Sequence, residues 1–327
     1  MKTKKKLRFW IVVRNSFIAI IAIFSFWMIS SNFMTGYEQK KYRASGELIE
    51  VEGKEMHLYT KGNGENTIVL QSGLGTTAPA LDFEPLINEL AKENKVVVVE
   101  SFGYGWSDIT DKDRTVENIV EETRTALKKA NIAGPYILMP HSISGIYSMY
   151  FANKYPEEVK AIVGIDPTLP QALGYFGETA PSMPKYFSYA APTGLARLAI
   201  YLNPEGYLPI TADGIYSYEN LKITKAISAW KGYNKNVVNE ANEIKNNIEK
   251  TVLMNFPSKM PVLIFTTKED KETISGKNNV TFYETQLTNS TASKIVPLEG
   301  HHYLHWTQYK EMSKEVNELI ESSAANP

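Results

Sequence analysis

Hydrophobic and polar positions divide the chain into three regimes. The first is a single apolar block whose densest part, Phe17 to Ile29, is interrupted only by Ser25. Thirteen residues are too few to cross a bilayer, but extension from Ile11 to Met34 exceeds the roughly 20 that the hydrocarbon requires. Arg14 and Asn15 fall near one end of that stretch, where an arginine can reach the headgroups. The block has no polar face, which argues against a helix half-buried in a soluble core. The pattern predicts a basic tail over 1–10, a transmembrane anchor or signal segment over 11–34, a linker over 35–44, and a folded domain over 45–327.

The second regime alternates strand-like and helix-like periods. Glu47–Val51 and Glu55–Tyr59 read as an antiparallel pair around Glu52-Gly53-Lys54. Thr67–Gln71, Lys95–Glu100, Tyr136–Met139, Ala161–Ile165, Pro261–Thr266 and Lys294–Pro297 are short apolar runs of the kind found in parallel strands covered on both faces. Helical spacing occupies Leu81–Lys92, Thr115–Ala130, Ser144 to about Lys154, and Thr307–Glu321; Thr115 is placed to cap its helix, with acids in the first turn. Strands alternating with helices predict an α/β architecture with a mostly parallel central sheet and helices on both faces. The third regime, about 167–257, breaks this rhythm. It opens rich in Pro and Gly, continues into helical patterns at Tyr218–Trp230 and Lys235–Leu253, and carries many aromatics. It reads as a helical lid over the C-terminal edge of the sheet, where open α/β sheets bind ligands.

Composition adds limits. Apolar residues make up 43% and charged residues 22%, as in ordinary globular proteins, and the net charge of −1 offers no nucleic-acid surface. Six basic residues and no acid lie within 1–34 (Lys2, Lys4, Lys5, Lys6, Arg8 and Arg14), so the remainder is mildly acidic. Basic residues ahead of an apolar segment predict a cytoplasmic N-terminus and a single-pass membrane protein with its main domain outside the cytoplasm. A cleaved signal segment and secretion form the alternative, although no clear A-x-A site follows Ile29. Cysteine is absent, which removes disulfides, thiol nucleophiles and zinc–thiolate sites.

The chemistry gathers at strand ends. In Tyr136-Ile137-Leu138-Met139-Pro140-His141-Ser142-Ile143-Ser144-Gly145, a buried strand turns into a helix within a few residues, with Ser142 at the junction. A nucleophile elbow has this form: a sharp turn exposes the hydroxyl above the sheet and aims helix N-terminal N–H groups at it. A serine at a strand–helix junction is also a common N-cap. Val69-Leu70-Gln71-Ser72-Gly73-Leu74-Gly75 runs a strand into a Gly-rich turn, a natural source of an oxyanion-hole N–H. A second Gly-rich loop spans Glu100 to Asp108, and Gly300-His301-His302-Tyr303-Leu304-His305 places three of five histidines just after the last strand. Such a cluster suits a base or a metal; no HExxH or Asp-rich motif accompanies it.

Together these segments resemble the α/β-hydrolase fold superfamily, over roughly Leu48–Ile320. The elbow is similar to G-H-S-x-G-G, Gly103-Tyr104-Gly105-Trp106-Ser107-Asp108 to a G-Y-G-x-S-D loop, and Tyr155-Pro156-Glu157-Glu158-Val159 to a Y-P-E-x-V segment. The resemblance implies Ser142 as nucleophile, an acid after the penultimate strand, and a late histidine as base. Thr267-Lys268-Glu269-Asp270 matches the family's G-x-x-D turn with Thr for Gly, which makes Asp270 the expected acid; Glu269 and Asp166 are its rivals. His302 is expected to be the base, because it stands three residues before His305, as the catalytic histidine does in many relatives. Backbone N–H groups of Leu74 and Ile143 are the implied oxyanion donors. Pro140, Ser144, Ser72 and Glu100-Ser101 depart from the family pattern.

The function these features imply is a membrane-anchored serine hydrolase, most simply a carboxylic ester hydrolase. It would cleave an ester, thioester or amide of a small molecule or short peptide through an acyl-enzyme, with no cofactor, no metal and no nucleic-acid partner. A prolyl-aminopeptidase-like peptidase, an acyltransferase and a non-catalytic surface binding module remain as alternatives; the first would need lid carboxylates such as Glu178, Glu205 or Glu219. Residues 1–34 supply no strand and no catalytic group, so the domain from about Ser45 is expected to stand apart from them.

Overall fold

The computed structural model describes residues 2–268 and 276–325. Eight strands, β1 (Glu47–Val51), β2 (Lys54–Lys61), β3 (Thr67–Gln71), β4 (Lys95–Val99), β5 (Tyr136–Pro140), β6 (Val159–Ile165), β7 (Val262–Thr267) and β8 (Lys294–Leu298), form one sheet in the order β1-β2-β4-β3-β5-β6-β7-β8. β1 pairs antiparallel with β2, and β2 antiparallel with β4; the remaining pairs are parallel.

Helices are α1 (Lys2–Lys41), α2 (Pro79–Asp82), α3 (Glu84–Leu90), α4 (Val116–Lys129), α5 (Ser144–Lys154), α6 (Ala172–Phe176), α7 (Leu195–Leu202), α8 (Tyr218–Lys231), α9 (Lys235–Thr251), α10 (Asn279–Glu284) and α11 (Tyr309–Ala325). The Thr115 side chain accepts from the Asn118 N–H and caps α4 as expected. The helix expected over Leu81–Lys92 is instead two pieces, α2 and α3, joined at Phe83. Pro85 explains the break: a proline is accepted in the first turn of α3 and not in the interior of one longer helix.

Central strands are apolar throughout because both faces are covered. Ile68 and Leu70 of β3, Val96 and Val98 of β4, and Leu263 and Phe265 of β7 meet α3 and α11 on one side. Val69, Val97, Val262 and Ile264, the alternate positions, face α4, α5 and α10 on the other. The period of two thus runs through strands that look uniformly hydrophobic in sequence.

The lid, α6 through α9 with its connections, is fastened over the C-terminal ends of the strands by polar anchors. Buried Glu240 of α9 accepts from the Tyr104 and Tyr147 hydroxyls at 2.7 and 2.8 Å. Burial holds this carboxyl above its ordinary pKa. Lys231 of α8 donates to the Ser107 carbonyl, and burial pulls its ammonium down to about 8.

α1 is one unbroken helix that continues past Met34 through the stretch expected to be a linker. Residues 35–41 contain no proline, and the lid holds this end. The Trp27 indole donates to the Gly194 carbonyl at 3.0 Å, Asn32 donates to the Pro192 carbonyl at 2.9 Å, and Arg197 forms a two-pronged pair with Glu38 at 2.7 and 2.8 Å. Arg197 also reaches Ser31 and Thr35 and is buried. Residues 1–34 therefore do not stand apart from the domain at this end. From Lys5 to Phe24 the residues of α1 are exposed, and the helix is long and apolar enough to cross a membrane.

Candidate active site

The site is assembled from the C-terminal ends of neighbouring strands. At the end of β5, Pro140 cannot donate to the ladder, but it is the last strand residue, and the next N–H, that of His141, bonds the Gln71 carbonyl at 2.8 Å. Ser142 follows with φ = 53°, and its N–H donates to the Ile165 carbonyl at 3.2 Å. Holding a non-glycine residue in the left-handed region costs about 1–2 kcal/mol, sustained here by the strands on either side.

The turn admits little bulk. A Cβ on Gly145 would lie 2.6 Å from the Thr168 carbonyl oxygen and 2.9 Å from a Pro167 side-chain carbon. One on Gly73 would approach His141 Nδ1 to 2.9 Å. Ser144, a departure from the family pattern, is accommodated because its buried hydroxyl donates to the Ser72 carbonyl at 2.6 Å, tying the elbow to the loop after β3.

β6 ends at Ile165, and Asp166 follows, also at positive φ, 40°. Its Oδ2 accepts a 2.6 Å hydrogen bond from Nδ1 of His302. Its Oδ1 accepts from the Thr266 hydroxyl at 3.1 Å, and the Tyr283 hydroxyl stands 3.3 Å from the same oxygen. Asp166 is almost wholly buried, whereas the His302 side chain is 44% exposed and open to the cavity. Ser142, Asp166, His302, Leu74 and Ile143 all line that cavity, ≈ 500 Å³ in volume, with Glu178 of the lid and Phe282 of α10 completing its wall. Among the described residues, neither the Leu74 nor the Ile143 N–H donates to a protein acceptor.

Structure thus brings together four of the five residues expected from sequence. Asp270, the expected acid, and its rival Glu269 lie outside the described residues. The carboxylate that meets His302 is Asp166, the other rival. Its sequence signal was an acid directly after a buried strand, whereas Asp270 stands three residues beyond the end of β7.

The other histidines have separate places. His305 is buried and paired with Asp82 at 2.7 Å, and the Trp306 indole donates to the other oxygen of that carboxylate at 2.8 Å. The ring of His301 accepts from the Tyr303 N–H at 3.1 Å. His141, which sequence reasoning did not single out, is fully buried beneath the loop that carries His302. Burial, reinforced by neighbouring His305 and His302, pushes its pKa well below the ordinary value. It is therefore neutral, and its Nε2–H donates to the His302 carbonyl at 3.1 Å.

A larger chamber of ≈ 880 Å³ adjoins the cavity of Ser142, with Leu74 in the wall of both. Its other walls are mostly lid residues, with Tyr303 and Trp306 stacked at 4.2 Å on the floor. Of the three lid carboxylates an aminopeptidase would need, Glu178 lines the cavity of Ser142, while Glu205 and Glu219 lie toward Lys225 and Lys222.

Comparison with known proteins agrees with this fold. Residues 66–309 match the family model described as alpha/beta hydrolase fold. The uncharacterized protein YbdG of Bacillus subtilis is 33% identical over 316 residues, covering 93% of this chain and 96% of YbdG. A cis-3-alkyl-4-alkyloxetan-2-one decarboxylase of Shewanella oneidensis is 25% identical over 114 residues, 34% of this chain and 35% of that protein. Among solved structures, the epoxide hydrolase VrEH1 from Vigna radiata superposes with a TM-score of 0.61 at 18% identity, covering 84% of this chain and 97% of the other. That likeness is one of fold.

Proposed function

The chain belongs to the α/β-hydrolase fold family, and from that premise we propose that it is a serine hydrolase that cleaves a carboxylic ester through an acyl-enzyme. The observation that carries the reading is the 2.6 Å His302–Asp166 bond in the cavity that also holds Ser142 at a strained strand–helix turn. Epoxide hydrolases of this fold attack with an aspartate; a serine at this position favours acyl transfer.

In the first half-reaction Ser142 Oγ attacks the carbonyl carbon, and its proton passes to Nε2 of His302. Asp166 holds the Nδ1–H, so the free nitrogen faces the reaction and the imidazolium is stabilised once formed. Charge developing on the carbonyl oxygen is received by the N–H groups of Leu74 and Ile143, which carry no acceptor among the described residues and so lose none of these when they turn to substrate. His302 then protonates the departing alkoxide. In the second half-reaction water gives a proton to His302, its oxygen attacks the acyl carbon, and Ser142 leaves with that proton.

The same reading places the protein in a membrane. A span of about 20 residues from Phe9 to Met28 rises about 30 Å, the thickness of the hydrocarbon. Lys2 to Arg8 would stay on the cytoplasmic side by the positive-inside rule, leaving the catalytic domain outside. The contacts of Trp27, Ser31 and Glu38 with the lid favour retention of this helix over its cleavage as a signal segment.

Labelling of the full chain with a fluorophosphonate probe tests the chemistry. Wild-type protein is expected to be labelled at Ser142 and the folded Ser142→Ala variant is not. Equal labelling of both, or none of either, would overturn the mechanism.

A further inference from the structure

α7 carries its apolar residues on both sides. Ala196, Arg197 and Ile200 are buried against the lid and α1, yet Leu195, Leu198, Tyr201 and Leu202 are exposed, Leu202 by 78%. Positions 195, 198 and 202 recur at helical spacing, so they make one stripe on one face. A lid facing water would carry polar side chains there.

The stripe begins where α1 leaves the domain. Trp27 packs edge-on against Tyr201 at 6.1 Å and donates to the Gly194 carbonyl, the residue before α7. Tryptophan and tyrosine favour the level of lipid headgroups. With the span of α1 ending near Met28, this contact fixes α7 at that level, and the exposed stripe continues the apolar surface of α1 sideways. The occupant that such a surface fits is lipid hydrocarbon.

The chamber opens onto the same face. Leu195 belongs both to the exposed stripe and to the chamber wall, and Tyr186 and Tyr189, before it in the lid, are likewise exposed and line the chamber. Inside, Ala196, Ala199 and Val237 continue the apolar wall, and Leu74 stands in the wall of both this chamber and the cavity of Ser142. The apolar wall therefore extends from the surface beside α1 to Leu74, which borders the cavity of Ser142.

We infer that the stripe of α7 lies in the membrane leaflet beside α1, and that the substrate is a long-chain acyl ester drawn from that leaflet through the lid chamber to Ser142. This deepens the hydrolase reading and rests on it. A hydrocarbon tail would pass from the bilayer into the chamber without crossing water, while the ester reaches the polar cavity around Ser142 and His302.

The test uses the full chain in phosphatidylcholine–phosphatidylglycerol vesicles and has two arms. The chain has no cysteine, so Leu202→Cys accepts a single environment-sensitive fluorophore. Its emission is expected to shift to the blue and to be quenched by lipids carrying a nitroxide on the acyl chain. Absence of quenching, including a blue shift without it such as a second protein copy would cause, overturns the bilayer contact.

The second arm compares p-nitrophenyl palmitate dissolved in the vesicles with water-soluble p-nitrophenyl butyrate. Leu198→Glu with Leu202→Glu should lower kcat/KM on the palmitate at least tenfold and leave the butyrate rate within twofold, which also shows that the variant is folded. Equal loss on both esters, or none on either, overturns the route. Wild-type protein that cleaves neither ester sinks the hydrolase reading, and the fluorescence arm then still decides where α7 lies.

Discussion

Asp166 and His302 are 136 residues apart in the chain and joined by a 2.6 Å hydrogen bond. The bond exists because β6 and β8 flank β7 and the residues after them meet over its end. Thr266, on β7 itself, donates to the other Asp166 oxygen, so the carboxylate is held from two sides. An acid so placed fixes the ring orientation of His302 and, in the mechanism we propose, leaves Nε2 for the serine.

Replacing Asp166 by Asn should therefore lower kcat on a p-nitrophenyl ester by about 10³–10⁴-fold, the usual cost of losing the orienting carboxylate. Asp270→Asn should stay within a few-fold of wild type. The reverse ranking would return the role of acid to Asp270.

Three histidine variants separate chemistry from support. His302→Ala should lose activity with little change in thermal stability, since its side chain is partly exposed. His305→Ala should do the opposite, because Asp82 would keep Trp306 and lose a buried partner; the expected cost is about 3 kcal/mol. His301→Ala should change neither by much. Kinetics and thermal melting of the three proteins decide, and an inactive His301→Ala beside an active His302→Ala would shift the base by one residue.

His141 should make the fold acid-sensitive. It is neutral in the folded protein, with its pKa held well below 6.5 by burial, whereas in the unfolded chain it takes up a proton near that value. Below pH 6.5 the unfolded state then binds more protons, so stability falls as pH falls, by up to about 1.4 kcal/mol per unit. His141→Gln keeps a donor for the His302 carbonyl and removes the titration. Urea unfolding between pH 5 and 7.5 should show a steeper acid loss in wild type than in this variant; parallel curves would refute the assignment.

The lid depends on α1 through Arg197. Glu38→Gln leaves a buried guanidinium without its carboxylate, at a cost of about 3 kcal/mol, partly recovered when Arg197→Met is added. A chain beginning at Ser45 should keep its sheet but expose the lid between Gly177 and Gly194 to thermolysin faster than the full chain. Identical digestion of the two chains would show that the docking contributes nothing.

Much of this was legible in the order of residues alone. Central strands announced themselves because burial on both faces makes them continuous apolar runs, and Thr115 marked the start of α4 by its capping hydroxyl. Ser142 and His302 were legible because each stands at a local boundary: a strand turning into a helix, and the loop after the last strand. Those signals are short-range, and a linear pattern records them. Sequence did not distinguish which carboxylate meets the histidine, for Asp166 and Asp270 both follow buried strands, and the choice depends on the distance between strand ends. It likewise did not show that α1 continues through the expected linker to Glu38 or that Arg197, 159 residues later, grips it. Hydropathy reports what one segment prefers as a solvent. Which segment supplies that environment is decided by packing between parts of the chain remote in sequence, and only the tertiary structure contains it.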